Sequence, residues 1–367
     1  MGSYSQEMKS STLIFVVALL VFASVPHLAT AQTPSRQTMI HSGSPFEIAR
    51  AVNRSNGIWR HQRIDVPVDL AETWKQLGID GPACGSDCEA KVFRLDLDKQ
   101  PGSEVLLKLT RSYDFCRYLI FKFRGRNLPR TRRWKLLGYI DHDFNRYRMA
   151  EQRVVRAFGK NWLVIRGQEG SGSGYYLYGD TWFEVNKKGV RPVLHYSVDG
   201  LTDAGIGGLN WKLSSRAIAV KGTRKQSIRV SFVVFYTAQG FEDVDFTRRF
   251  VNRRQAYYVW NKRSREFVFT KRGSTISEYE MNLVANVETE PSSENGGVKI
   301  GGNTFFSGLR GFVGSGYEMF LRLNAARLMN IAQGRNEQSK AWLSKFLTQC
   351  EDIPEKLAIE RVLLKKL

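Results

Sequence analysis

Through the middle of the chain apolar residues gather in short, strongly β-prone runs such as Val92–Leu97, Glu104–Leu109, Tyr118–Phe123 and Trp134–Ile140. Runs of this length and composition bounded by polar turns predict strands. The runs return at intervals of roughly 10 to 15 residues across tight polar turns, which argues an antiparallel meander from Val92 to Val287. Towards both ends the apolar residues fall at helical spacing instead. Phe46–Val52, opened by Ser44-Pro45, and Asp69–Leu77 carry apolar residues at helical spacing. Tyr317, Phe320, Leu321, Ala325, Leu328 and Ala332 form one apolar stripe, Trp342, Leu343, Phe346, Leu347 and Cys350 a second, and Pro354 opens a last helix.

The fold class predicted is mainly β: a large antiparallel meander sheet or sandwich, or propeller-like repeats, with a helical N-terminal segment and C-terminal helices. The propeller alternative rests on loose copies of an apolar strand followed by an aromatic hairpin. One pairs Val105–Leu109 with Tyr118–Phe121, another Trp162–Ile165 with Tyr176–Tyr178 and Trp182–Val185, and a last Val230–Tyr236 with Tyr257–Trp260. These are fewer than the blades a closed propeller usually needs, so sheet or sandwich is preferred. The organisation expected is a leader at 1–31, a helical cap at 32–80, the β domain at 81–287, a polar glycine-rich loop or linker at 288–302 and a helical segment at 303–367.

The leader is read from the apolar run Thr12–Ala23, too short for the roughly 20 residues that span a bilayer, and from the small residues Ala29 and Ala31. Together they predict a secretory signal cleaved near Ala31, a secreted or periplasmic protein, and no transmembrane segment in the mature chain. The formal net charge is +20. Lys122 to Lys160 holds twelve basic and three acidic residues, and Arg248, Arg249, Arg253 and Arg254 make a second cluster. Anionic partners follow, an anionic polysaccharide or another envelope polymer ahead of nucleic acid.

Cys84, Cys88, Cys116 and Cys350 form an even set, which favours disulfides in an oxidising compartment. Three pairings are open; the preferred one closes Cys84 on Cys88 and leaves Cys116 and Cys350 for a long-range bridge. In Asp96-Leu-Asp98-Lys-Gln100-Pro-Gly-Ser-Glu104, the oxygen-bearing side chains of Asp96, Asp98, Gln100 and Glu104 are spaced to surround a hard cation. This segment resembles the Asp-rich loops of FG-GAP and VCBS repeats. The resemblance implies a β-propeller blade, a binding role and calcium, although Gln100 replaces an acidic ligand and Lys99 sets a cation beside the site. No other cofactor is expected.

Asp141, Asp143 and Asn145 repeat part of that spacing on one face of a strand, with His142 turned away; pairing of the acids with neighbouring arginines is expected there. The chain has no Gly-x-Ser-x-Gly elbow, and Gly170–Gly174 lacks the lysine and following helix of a phosphate cradle. His142, His195 and Glu169 are the candidates for proton transfer. Arg253, Arg254, Tyr257, Tyr258 and Trp260 interleave cations with aromatic rings, a pattern that can hold sugars bearing acidic groups. The favoured function is non-enzymatic recognition of an anionic glycan or other polyanion. The alternatives are a hydrolase or lyase of an anionic polysaccharide and a scaffold that docks a protein.

Overall fold

The computed structural model describes residues 44–58, 88–97, 104–111, 115–129, 132–143, 151–172, 175–202, 209–220, 225–241, 244–277, 297–300, 303–307 and 312–365. The leader, the helix expected at 69–77 and Cys84 lie outside them. One sheet holds β1 (Cys88–Leu95), β2 (Glu104–Arg111), β3 (Phe115–Phe123) and β4 (Trp134–Asp143), in that order, followed by β13 (Gly297–Ile300) and β14 (Asn303–Ser307). The second sheet has eight strands in continuous meander order: β5 (Glu151–Ala157), β6 (Lys160–Gly172), β7 (Tyr175–Asn186), β8 (Gly189–Thr202), β9 (Leu209–Val220), β10 (Ser227–Gln239), β11 (Thr247–Asn261) and β12 (Glu266–Thr270). Every pairing is antiparallel, as short turns between consecutive strands require. The mainly β expectation holds in its sheet form, and the apolar-aromatic copies lie within these two meanders.

The glycine-rich segment expected as a linker carries β13, whose Ile300 and Lys299 pair with Ile140 and Asp141 of β4. Val298-Lys-Ile300 and Phe305-Phe306 flank Gly301-Gly302 in the sequence, a hairpin signature that the polar run before it obscures.

Helix α1 (Pro45–Ile58) begins with a capping box: Ser44 Oγ accepts from Glu47 N at 3.3 Å, and Glu47 Oε2 accepts from Ser44 N at 3.0 Å. Its Ile48, Ala49 and Val52 pack on one face of the first sheet with Leu107, Leu119 and Phe121. The Asn53 amide binds both the N–H and the carbonyl of Ala90 at 2.9 Å, which ties the helix to strand β1. The opposite face, with Leu106, Tyr118, Ile120 and Ile140, packs on Leu163, Ile165, Phe183 and Val185 of β6 and β7. Gly138 makes this approach possible, because a Cβ there would stand 3.0 Å from Val190 Cγ2.

The other face of the eight-stranded sheet is concave. On a flat sheet Trp162 of β6 and Trp260 of β11 would be about five strand spacings, roughly 24 Å, apart. Their ring centroids are 5.8 Å apart, and each also meets Phe267 of β12 edge-on. The sheet therefore rolls round its own aromatic residues without closing, leaving β5 and β12 as edges. The β5–β6 turn supports this end: Phe158 and Gly159 both have positive φ (54° and 71°), the geometry of a tight hairpin, and the Phe158 ring packs 5.8 Å from Phe267. The far end is filled by α2 (Phe312–Gln333), α3 (Glu337–Leu347) and α4 (Pro354–Leu364). Phe320 meets Tyr236 and Phe250, Trp342 stacks on Phe246, and the Trp342 Nε1 donates to Gln239 O at 3.0 Å.

Cys116 and Cys350 are both free and buried, so the long-range bridge does not form. Cys116 lies in the layer between the sheets and Cys350 among the helices, with the eight-stranded sheet separating them. Cys88 is disulfide-bonded.

Trp162 is fully buried at the point where the sheet meets itself, and its Nε1 donates to Ala157 O at 3.1 Å. Trp162→Ala is expected to lower unfolding stability by about 3–5 kcal/mol, read from urea denaturation; Trp260→Ala, at a partly exposed site, is expected to cost less.

Candidate functional site

Alternation along β9, β10 and β11 divides each strand between the packed interior and the outer face. Ile228, Val230, Phe232, Val234 and Tyr236 of β10 point inward and are buried. Arg229, Ser231, Val233, Phe235 and Thr237 therefore point outward. The register sets Arg229 between Ile218 and Tyr257, Val233 between Ser214 and Arg253, Phe235 between Lys212 and Val251, and Thr237 between Asn210 and Arg249. The outer face is covered by the first sheet over β6 and β7 but open over β9–β12.

This open half gathers Lys212, Arg216, Arg229, Arg249 and Arg253. Among the described residues none of them forms an ion pair, and Arg229 Nε is buried without a hydrogen-bond partner. The exposed apolar residues Ile218, Phe235 and Val268 share the same face. Some cations elsewhere in this sheet are paired: Arg265 and Lys160 both bind Glu184, at 2.6 and 3.3 Å.

The five residues expected to bind a ligand are split by the same alternation. Arg253 and Tyr257 face outward. Arg254 lies on the concave side, where Tyr258 packs against Phe269 and Trp260 against Trp162 and Phe267. Lys212, Arg216, Arg229 and Phe235 were not singled out from the sequence, and Arg249 only as part of a charge cluster, because their grouping on one face depends on strand register.

Of the residues proposed to ligate calcium, Asp98 and Gln100 lie outside the described residues. Glu104 is buried; its Oε2 accepts from Leu97 N at 3.2 Å and its Oε1 lies 3.3 Å from Lys122 Nζ. Asp96 holds the Asn161 amide through its backbone carbonyl at 2.6 Å. Among the described residues no group of His, Cys, Asp and Glu is placed to hold a metal ion.

The three proton-transfer candidates belong to different places. His142 is on β4, paired with Cys116 and Val298; Glu169 falls at the bulge between Gln168 and Gly170 of β6. His195 Nδ1 is 3.0 Å from Thr181 Oγ1 on β7. Asp141 pairs with an arginine, as expected, but with Arg117 across the strand, through contacts of 2.6 and 2.8 Å.

A charged cluster that the sequence did not reveal lies on the concave wall. The buried carboxylate of Asp180 accepts from Arg166 Nε at 2.9 Å, from Tyr196 OH at 3.0 Å, and from both terminal nitrogens of Arg153. Burial pushes this carboxyl up, but the hydrogen bonds and charges of Arg166 and Arg153 outweigh it and hold the group below the ordinary carboxylate range. Burial and the Asp180 charge both push the Tyr196 hydroxyl up, so it remains a donor. The cluster fastens edge strand β5 to β6, β7 and β8. Burial likewise raises the Cys116 thiol to about 11, which keeps it protonated and unreactive.

Among the described residues no helix is long and apolar enough to cross a membrane. The chain matches no family model, no curated protein and no solved structure.

Because the folded-state pKa of Asp180 is depressed, the stability it contributes is complete above its unfolded value of about 3.9 and is lost as pH falls through the lower folded value. Asp180→Asn is expected to cost about 3 kcal/mol at neutral pH, and its urea midpoint should fall less than that of the parent protein between about pH 5 and 2.5.

Proposed function

We propose that this protein is a secreted or periplasmic, non-enzymatic binding protein that holds an anionic glycan or other polyanion on the open outer half of its eight-stranded sheet. The observation that carries the reading is a cluster of cations on one sheet face. Strand register places Lys212, Arg216, Arg229, Arg249 and Arg253 together on the outer face of β9–β11, and none of them forms an ion pair among the described residues. Like charges gathered this way repel one another and contribute nothing to packing. A linear polyanion laid across the strands removes that repulsion and releases its own condensed counterions. The apolar run at Thr12–Ala23 supports a location outside the cytoplasm.

The test is binding of an acidic polysaccharide by Lys212→Gln/Arg249→Gln/Arg253→Gln, beside a control, Lys187→Gln/Lys188→Gln/Arg361→Gln, that removes the same charge elsewhere. The face variant is expected to bind about tenfold or more weakly at near-physiological salt and to show a salt slope shallower by about 2–3, with a much smaller change in the control. Equal losses would mean that net charge alone drives binding.

A further inference from the structure

We infer that this face contains a sugar-ring subsite centred on Phe235, which makes its polymer an acidic polysaccharide; the inference rests on the function just proposed. Phe235 is 43% exposed in the middle of a sheet face, although Phe232 and Tyr236 of the same strand are buried. An aromatic ring left in water among cations adds little to folding. Its cross-strand neighbours are Lys212 on one side and Val251 on the other. Directly opposite residues have Cβ atoms about 4.5–5.5 Å apart, and diagonal ones are about 7–8 Å apart. Arg249 and Arg253 occupy the two diagonals beyond Val251. The ring is thus bordered by one cation on one side and two on the other.

This arrangement matches a chain whose units have both an apolar ring face and an acidic substituent. The C–H face of a uronic acid ring can lie on Phe235 while its carboxylate reaches a bordering cation. A polyphosphate satisfies the cations and has nothing to place on the ring. Single-stranded nucleic acid can stack one base, but proteins that track it use successive aromatic rings. Here the outward neighbours along β10 are Val233 and Thr237.

The experiment compares binding of the full chain and its Phe235→Ala and Phe235→Trp variants to polygalacturonate, polyphosphate and poly-dT, with urea midpoints measured alongside. Because Phe235 is exposed, both variants should keep the parent midpoint. Phe235→Ala should weaken polygalacturonate binding roughly tenfold, with polyphosphate unchanged and Phe235→Trp retaining affinity. Polygalacturonate binding that ignores Phe235 overturns the subsite and leaves the polyanion function standing. A larger loss for poly-dT overturns the polysaccharide assignment. Failure of the parent protein to bind any of the three overturns the function beneath it.

Discussion

What fills the inside of the rolled eight-stranded sheet decides what its outside must be. Trp162, Trp260 and Phe267 occupy one end of the hollow, and Phe320, Phe346 and Trp342 from the C-terminal helices occupy the other. With inward positions committed to packing, period-two geometry sends every second residue of β9–β11 to the opposite face. Among the described residues the first sheet covers that face over β6, β7 and the start of β8. The remaining half meets solvent, and its side chains contribute their chemistry rather than their volume.

Charge has different work on the two sides. On the concave wall Asp180 gathers Arg153 and Arg166 and anchors an edge strand. On the outer face Arg249 and Arg253 stand four residues apart on one strand, and no carboxylate pairs with either among the described residues. Rows of cations around Val233, Phe235 and Val251 cost the fold self-repulsion, and no contact within the described structure offsets it. The polyanion proposed as ligand would supply the missing term and link the packing of the interior to binding on the exterior.

Much of the architecture was legible in the sequence because it depends on local pattern. The β-prone apolar runs marked β1 to β4, Ser44-Pro45-Phe46-Glu47 marked the start of α1, and the apolar stripes marked α2 and α3. The candidate face was not legible. Arg253-Arg254 and Tyr257-Tyr258 repeat one residue type on adjacent positions, so composition could not say which member pointed outward. Val233-Val234-Phe235-Tyr236 is continuously apolar, and only burial distinguishes its exposed ring from its buried one. Asp180 finds its partners on β5, β6 and β8, well separated along the chain. The Cys116–Cys350 pairing failed for the same reason: spacing cannot show that a sheet lies between two residues.

Hydroxyl-radical footprinting of the protein with and without a bound acidic polysaccharide tests the central claim most directly, because it reads side chains on both faces of the same strands. Protection confined to outward residues such as Ile218, Phe235, Val251 and Tyr257, with Tyr258 and Trp260 unchanged, is the predicted result. Protection centred on the helices or on the Arg153–Asp180–Arg166 wall, with the outer face of β9–β11 unaltered, would contradict the account.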